Sequence, residues 1–178
     1  TWLDVWHQIV NQENHAPNVR MRYARKVIWE HTLMTLDNNH LHIRLTDLAT
    51  PSRPRIVNRS DIVCAPTRTG FRHDTKVVEA DCLITAEELT NVGYEHVAVL
   101  VMASKRGPGG QVKSGAGAQE EDVYRRTDAW RHMMRYKDSQ AYPLDTLEPT
   151  AMIINDVTIC RGPCERVIRS WKFDQRLR

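Results

Sequence analysis

The sequence predicts one α/β domain in which helices cover both faces of a sheet, giving three layers. Segments with helical periodicity alternate along the chain with short strand-like runs, which is typical of this class. The run 97–103 is apolar at every position, as in a strand that is buried on both faces. A length of 178 residues suits a single domain with a sizeable core.

The N-terminal part of the chain is predicted to be helical. Residues 1–12 carry apolar side chains at the spacing of a short amphipathic helix, and residues 18–37 have this pattern over a longer stretch. The alternation at 40–45 predicts a strand. Residues 1–38 are therefore predicted to be a helical extension that precedes the core.

The middle of the chain is predicted to contain a long loop, a strand and a short helix. Several prolines and a glycine make residues 47–75 mostly loop. Residues 75–82 are a strand candidate. Thr85 and Glu88 have the spacing of a capping box, which predicts a helix that begins there and ends near Gly93.

The second half of the chain supplies most of the predicted core. Residues 39–162 are predicted to form this core and residues 163–178 a basic tail. The elements predicted in this half are strand 96–103, a helix from about 116 to 137, strand 152–160 and a final helix at 163–174.

The charge balance excludes few functions. The net charge of +3 comes from 25 basic and 22 acidic residues, which is too balanced to indicate nucleic-acid binding alone. The basic excess is concentrated in the tail, 163–178, which suits contact with nucleic acid or an acidic partner. A solvated helix end explains this pattern equally well.

The cysteines and the hydropathy indicate an intracellular, reducing compartment. Cys64, Cys82, Cys160 and Cys164 show no disulfide framework. Their spacing offers no matched set of ligands, so neither a metal site nor a cofactor is predicted. No signal peptide is expected from the residues given, and no run comes near the roughly 18 apolar residues that a membrane span needs.

The candidate site is a glycine loop followed by two carboxylates. Gly109 and Gly110 follow the apolar strand, and Glu120 and Glu121 open the next helix. This order suits a site that holds a diphosphate beside an acid/base group. Taken singly, a glycine turn and acidic residues at a helix N-terminus are common without any function.

The motifs around this loop resemble those of a known family over roughly residues 20–162. They are Gly109-Gly110-Gln111, Gln119-Glu120-Glu121, Tyr124-Arg125-Arg126-Thr127 with Trp130, Tyr142-Pro143-Leu144 and Asp156-Val157-Thr158-Ile159-Cys160-Arg161. They are similar to motifs of the bacterial-type poly(ADP-ribose) glycohydrolases of the macrodomain superfamily. The resemblance implies a mixed sheet between helices, with the ligand in a cleft at the strand ends.

The resemblance also implies roles for the site residues. The ligand would be ADP-ribose or poly(ADP-ribose), and the bond cleaved would be the ribose–ribose O-glycosidic bond. Glu121 would be the acid that protonates the leaving oxygen, and Glu120 would hold the ribose hydroxyls. Gln119 would support the loop. The predicted ligand-binding positions are Gly109, Gly110, Gln111, Gln119 and Ser104.

The sequence departs from the family pattern in three places. Gln111 adds a side chain where the family has a third glycine, and Val101-Met102 replaces an Asn-Phe pair. The chain also stops at Arg178, where the family continues, so the family's C-terminal portion is expected to be missing. An incomplete sheet would need to be covered by a protein partner or by a remainder of this chain.

These departures leave two alternatives to an enzyme open. One is a catalytically inactive structural or interaction subunit of a larger assembly. The other is a protein that only binds ADP-ribose. Aromatic residues beside the motifs, Tyr124 and Trp130, are expected to be packing residues rather than groups that stack on a base.

Overall fold

The structure is a computed structural model that describes residues 11, 16–38, 52–61, 75–134, 142–143 and 150–162. Within these residues the chain is mixed α/β, as predicted, with four helices and two strands. They are α1 (Pro17–Asn38), β1 (Arg55–Asn58), a 3₁₀ turn (Arg59–Asp61), α2 (Cys82–Asn91), a second 3₁₀ turn (Val112–Ser114), α3 (Gln119–Arg126), α4 (Ala129–Met134) and β2 (Thr150–Ile153). The three-layer arrangement stays a prediction.

Helix α1 confirms the helix predicted at 18–37. Its buried residues recur at helical spacing and form one face, at Ala24, Ile28, Trp29, Thr32 and Leu36. This face packs against the second 3₁₀ turn and α3. The Thr32 hydroxyl joins the helices through the Arg125 carbonyl oxygen at 2.8 Å. A Cβ on Gly115 would overlap the Arg22 carbonyl, so only glycine permits this approach.

The two strands form an antiparallel pair, with Arg55 opposite Ile153 and Asn58 opposite Thr150. The prediction of mostly loop at 47–75 missed β1, because a four-residue strand between prolines carries almost no periodic signal. The predicted strand at 152–160 was also wrong in its extent. A left-handed residue, Asp156 (φ 57°), bends the chain after β2, and only an isolated bridge between Thr127 and Ile159 follows.

Helix α2 begins earlier than predicted. The Asp81 carboxylate caps it by accepting from the backbone N–H groups of Leu83 and Ile84, both at 3.0 Å. The predicted capping residue Thr85 therefore lies inside the helix. The strand predicted at 75–82 was wrong, because the structure has no strand there and α2 already begins at Cys82. The end of α2 near Gly93 is as predicted, since Gly93 has φ 99°.

The strand predicted at 96–103 is also absent from the sheet that the described residues form. Its backbone is held by a side chain instead. The Met102 N–H donates to Gln119 Oε1 at 3.0 Å, and Gln119 Nε2 donates to the Leu100 carbonyl at 2.8 Å. One amide side chain thus takes the hydrogen bonds that a neighbouring strand would otherwise make.

The single helix predicted at 116–137 is two helices, α3 and α4. Thr127 between them is extended (φ −129°, ψ 170°), and its bridge to Ile159 takes it out of the helical path. Asp128 adds a second tie to the same strand-like segment, because its carboxylate accepts from the Thr158 N–H at 2.7 Å. Its backbone N–H also donates to the Thr158 carbonyl at 3.0 Å.

The core lies where α1, the second 3₁₀ turn, α3 and α4 meet. Its central members are Trp29, Val112, Tyr124 and Met133. Trp130 packs against this cluster, with its ring edge-to-face with Trp29 at 5.1 Å between centroids. The prediction that Tyr124 and Trp130 are packing residues is confirmed.

Several predictions fall outside the described residues. They concern the helix at 1–12, the strand at 40–45, the helix at 163–174 and the basic tail. None of the described helices has both the length and the apolar character that crossing a bilayer would require.

Candidate active site

The glycine loop wraps around the first turn of α3. The chain enters α3 from an extended residue, Ala118 (φ −78°, ψ 170°), so Glu120 and Glu121 project back toward residues 104–111. Both side chains are buried, Glu120 at 4 % and Glu121 at 7 % exposure. The hydrogen bonds to the loop account for the burial of two acidic side chains.

Both carboxylate oxygens of Glu120 are held by the loop backbone. Oε2 accepts from the Ser104 N–H at 2.7 Å, and Oε1 accepts from the Gly109 N–H at 2.9 Å. These two bonds join the start of the loop to its middle. Glu120 therefore has an anchoring position, with one further lone pair on each oxygen for a ligand.

Glu121 is held on one side only. Its Oε1 accepts from the Gln111 N–H at 3.0 Å. Its Oε2 is buried and has no hydrogen-bond partner among the described residues. A buried carboxylate oxygen without a partner is costly for stability alone, so this atom is the one in the pair that is placed to receive a substrate group.

Burial raises the pKa of Glu120, and the neighbouring Glu121 charge adds to the increase, while the amide bonds from Ser104 and Gly109 oppose it. Two phenols lie near the same carboxyl. Burial and the Glu120 charge raise the pKa of Tyr142 to about 12, and burial raises that of Tyr124. Both phenols are therefore neutral at physiological pH.

The two glycines of the loop have left-handed conformations that admit no side chain. Gly109 has φ 73°, and a Cβ there would lie 3.0 Å from the Tyr124 ring. Gly110 has φ 52°, and its Cβ would lie 2.6 Å from Glu121 Oε1 and 3.0 Å from Glu120 Oε2. Glycine is thus required for the loop to close over the glutamates.

The backbone N–H groups of these glycines have partners inside the chain. Gly109 donates to Glu120, and Gly110 donates weakly to the Gly107 carbonyl at 3.4 Å. In this conformation the two N–H groups do not face outward to a diphosphate, because Gly109 donates to a carboxylate and Gly110 to a carbonyl of the same loop. Ligand binding by Gly109 and Gly110 stays a prediction.

Gln111 fits the loop without strain. Its φ of −107° is open to any residue, so the third position does not demand glycine here. Its backbone holds Glu121, and its side chain is exposed. The side chain that departs from the family motif therefore stands at the mouth of the site.

Two open grooves flank the loop, and Gln111 borders both. The first has a volume of about 390 Å³ and lies against α1 at Arg22 and Arg25. The second has a volume of about 620 Å³. Its lining is Ser104, Lys105, Arg106, Gly107, Pro108, Gly110, Gln111, Val112, Lys113, Trp130 and Met134.

A buried arginine secures the other end of α3. Arg126 is 1 % exposed and donates to both oxygens of Asp81 at 2.7 and 2.9 Å and to Asp122 at 2.8 Å. The Arg126 hydrogen bond holds the pKa of Asp81 below its usual range, although burial opposes the shift. The role of Asp81 was not predicted, since nothing in the sequence pattern links it to a residue 45 positions away.

The predicted site residues separate into two groups. Ser104, Gly109, Gln111, Glu120 and Glu121 meet in one hydrogen-bonded cluster, and Gly110 closes over it. Gln119 lies beside the cluster and braces the segment that leads into the loop. Within the described parts of the chain, no group of three or more His, Cys, Asp or Glu side chains is arranged to hold a metal ion.

The site is a buried carboxylate pair on a mixed α/β scaffold, with one carboxylate fully held and the other half held. Such a pair can protonate an oxygen and bind hydroxyl groups, which is the chemistry of glycosidic-bond hydrolases. A family model described as microbial-type PARG, catalytic domain, matches residues 11–159. The chain belongs to this poly(ADP-ribose) glycohydrolase family. No match was found among curated proteins or among solved structures.

Proposed function

We propose that this chain binds ADP-ribose through a macrodomain fold and hydrolyses ribose–ribose O-glycosidic bonds in poly(ADP-ribose). Family membership supports the class of reaction. The observation that carries the assignment within the site is the unpartnered Oε2 of Glu121. This oxygen is buried beside the glycine loop and has no partner in the described chain, so it is suited to carry the proton that the leaving oxygen receives.

The two glutamates divide the chemistry by their hydrogen bonds. Glu121 protonates the leaving oxygen as the bond to the sugar breaks, and then accepts a proton from the attacking water. Glu120 uses its remaining lone pairs to hold ribose hydroxyl groups. The loop keeps both carboxyls in place before substrate arrives, because Ser104, Gly109 and Gln111 donate to them.

The raised pKa of Glu120 suggests the opposite division, with Glu120 as the acid. We assign the acid to Glu121 because both oxygens of Glu120 already accept N–H groups. Those donors favour the ionised form. By contrast, Glu121 Oε2 accepts no N–H group from the described residues.

The test compares Glu121→Gln with Glu120→Gln in the full chain. The glutamine at 121 keeps an oxygen for the Gln111 N–H but has no acidic proton. It should lower the release of ADP-ribose from the polymer by about 10²–10⁴-fold, with ADP-ribose binding nearly unchanged. Glu120→Gln sets an NH₂ group against an N–H donor, and should lower the free energy of unfolding by about 1–3 kcal/mol.

Glu87→Gln on the exposed face of α2 is the matched control and should leave release and stability unchanged. Unaltered release from the Glu121→Gln protein would exclude Glu121 as the acid. A wild-type chain that binds ADP-ribose without releasing it from polymer would be a binding protein rather than a hydrolase. A chain that does neither would be an interaction subunit.

A further inference from the structure

Among the described residues that line the larger groove beside the loop, three are cationic and none is a carboxylate. Lys105 and Arg106 enter it from the segment before the glycines, and Lys113 enters from the second 3₁₀ turn. Trp130 and Met134 supply apolar surface. A concave surface with charge of one sign concentrates the field and attracts ligands of the opposite sign.

The three cations lack ion-pair partners within the part of the chain that the structure describes. The pairs there involve other basic residues, such as Arg125 and Arg126 with Asp122. Arg125 and Arg126 thus differ from the groove cations, because a carboxylate lies beside each of them. Lys105, Arg106 and Lys113 converge on an open groove, where an anionic ligand can approach them.

The loop backbone leaves phosphate recognition to side chains. The Gly109 N–H is taken by Glu120 and the Gln111 N–H by Glu121. A phosphate approaching the glutamates from this groove would meet negative charge unless nearby cations compensate for it. The three groove cations can compensate for this negative charge, because they line the same groove as Gly110 and Gln111, which lie next to the carboxylates.

The aromatic residue in the groove favours an anion over a stacked base. The Lys113 ammonium lies over the Trp130 ring at 5.3 Å from its centroid. The ring is also edge-to-face with Trp29 at 5.1 Å and with Tyr124 at 6.2 Å. One face of the Trp130 ring therefore has the Lys113 ammonium over it, and both residues line the groove.

We infer that Lys105, Arg106 and Lys113 bind pyrophosphate groups of poly(ADP-ribose) and hold the polymer against the glutamates. This inference rests on the proposed function for the identity of the polymer. It assigns phosphate binding to side chains of the groove, because the Gly109 and Gln111 N–H groups donate to the glutamates. It predicts tighter binding of polymer than of a single ADP-ribose, because a longer ligand reaches all three cations.

The test measures binding of poly(ADP-ribose) of defined length to the full chain in a series of salt concentrations, with Glu121→Gln present to prevent cleavage. The variants Lys105→Gln, Arg106→Gln and Lys113→Gln are compared with Lys76→Gln, a control at an exposed position away from the groove. Each phosphate contact of a single-stranded polyanion adds about 0.7 to the slope of log K against log salt. Each groove variant should reduce the slope by about this amount and weaken binding several-fold.

Two further arms keep the result decisive. Lys113→Arg should restore the slope lost in Lys113→Gln, which a merely structural effect of Lys113 would not allow. Slopes for the groove variants equal to that of Lys76→Gln would overturn the inference. So would single-stranded RNA of equal charge that binds as tightly and loses as much in the same variants.

The measurement separates this inference from the proposed function. Binding that depends on the groove without hydrolysis by the wild-type chain would refute the hydrolase and leave the groove assignment standing. Hydrolysis by the wild-type chain, with salt slopes unaltered in the groove variants, would support the hydrolase and refute the groove assignment.

Discussion

Residues 119–134 bury charged side chains, whereas residues 75–102 expose apolar ones. In the first region Glu120 is 4 % and Arg126 is 1 % exposed, while in the second Val77 is 93 % and Leu100 is 83 % exposed. The first region is rich in hydrogen bonds that cross between elements. The second contacts the rest of the described chain mainly through Gln119 and the cap of α2.

The comparison shows that hydropathy alone does not decide which side chains are buried in these two regions. Arg126 can be buried because two carboxylates and a carbonyl oxygen satisfy it. The apolar segments have side chains suited to a core, but no packed face meets them among the described residues. Substitutions in the first region should therefore be costly, and those in the second nearly neutral.

The largest loss of stability is expected for Arg126→Gln. The change leaves Asp81 without its guanidinium partner, leaves Asp122 with only the more distant Arg125 at 3.7 Å, and leaves a polar amide in a space that is 1 % exposed. Breaking a buried pair costs about 3–5 kcal/mol. Since both carboxylates are partly exposed, at 27 % and 30 %, we expect about 3 kcal/mol, measured by urea unfolding.

Arg59→Gln, at an exposed position in the first 3₁₀ turn, is the control and should change the free energy of unfolding by less than about 0.5 kcal/mol. Equal losses from the two variants would mean that the Asp81–Arg126–Asp122 network does not stabilise the fold.

The next effect is expected at Gly110. An alanine Cβ would lie 2.6 Å from Glu121 Oε1 at a φ of 52°, so the loop must open or the carboxyls must move. We expect Gly110→Ala to lower the free energy of unfolding by about 2 kcal/mol and to reduce ADP-ribose release strongly.

Gly107→Ala is the matched control in the same loop, because a Cβ there meets nothing within 4 Å. It should be close to neutral for stability and for release of ADP-ribose. If Gly110→Ala were equally neutral, the close approach of the loop to the glutamates would not be part of the folded state.

The sequence predicted well those features that have a periodic pattern over many residues or a clear turn signal. Helix α1 and the end of α2 near Gly93 follow from periodicity and turn chemistry. The break between α3 and α4 does not, because it depends on the bridge from Thr127 to Ile159. The strand predicted at 96–103 was wrong, because strand pairing needs a partner that its own pattern does not specify.

The candidate site was predictable as a set of residues but not as an arrangement. The spacing of Gly109, Gly110, Glu120 and Glu121 indicated a loop beside two carboxylates. It did not indicate that the loop amides donate to those carboxylates, since that depends on how α3 begins. The same limit explains why the role of Asp81 was missed.

A smaller effect is expected from His31, and it depends on pH. Burial and, to a lesser extent, the charge of Arg161 lower the pKa of His31 from 6.5 to about 4, and Arg161 donates to His31 Nδ1 at 2.7 Å. Between these pH values the unfolded chain binds a proton that the folded chain does not. Stability from this source is therefore complete above pH 6.5 and is lost as the pH falls toward 4.

The measurement is the difference in free energy of unfolding between pH 7 and pH 4.5 for wild type, His31→Gln and His96→Gln. Glutamine at 31 can still accept from Arg161 but does not titrate in this range, so His31→Gln should reduce the loss on acidification by about 1–2 kcal/mol. His96 is exposed, and its replacement should leave the loss unchanged. A loss that stays the same in His31→Gln would show that His31 is not held neutral.

The smallest effect is expected where apolar side chains are exposed. Leu100 is 83 % and Met102 is 76 % exposed, and their backbone groups, not their side chains, hold the segment to Gln119. Leu100→Ser should therefore change the free energy of unfolding by less than about 0.5 kcal/mol, while Gln119→Leu, which removes both backbone contacts, should cost about 1–2 kcal/mol. Urea unfolding of the two variants measures how much the Leu100 side chain and the Gln119 hydrogen bonds each contribute to the free energy of unfolding. A cost for Leu100→Ser as large as that for Gln119→Leu would mean that residues 96–103 pack through their side chains, and the contrast between the two regions would disappear.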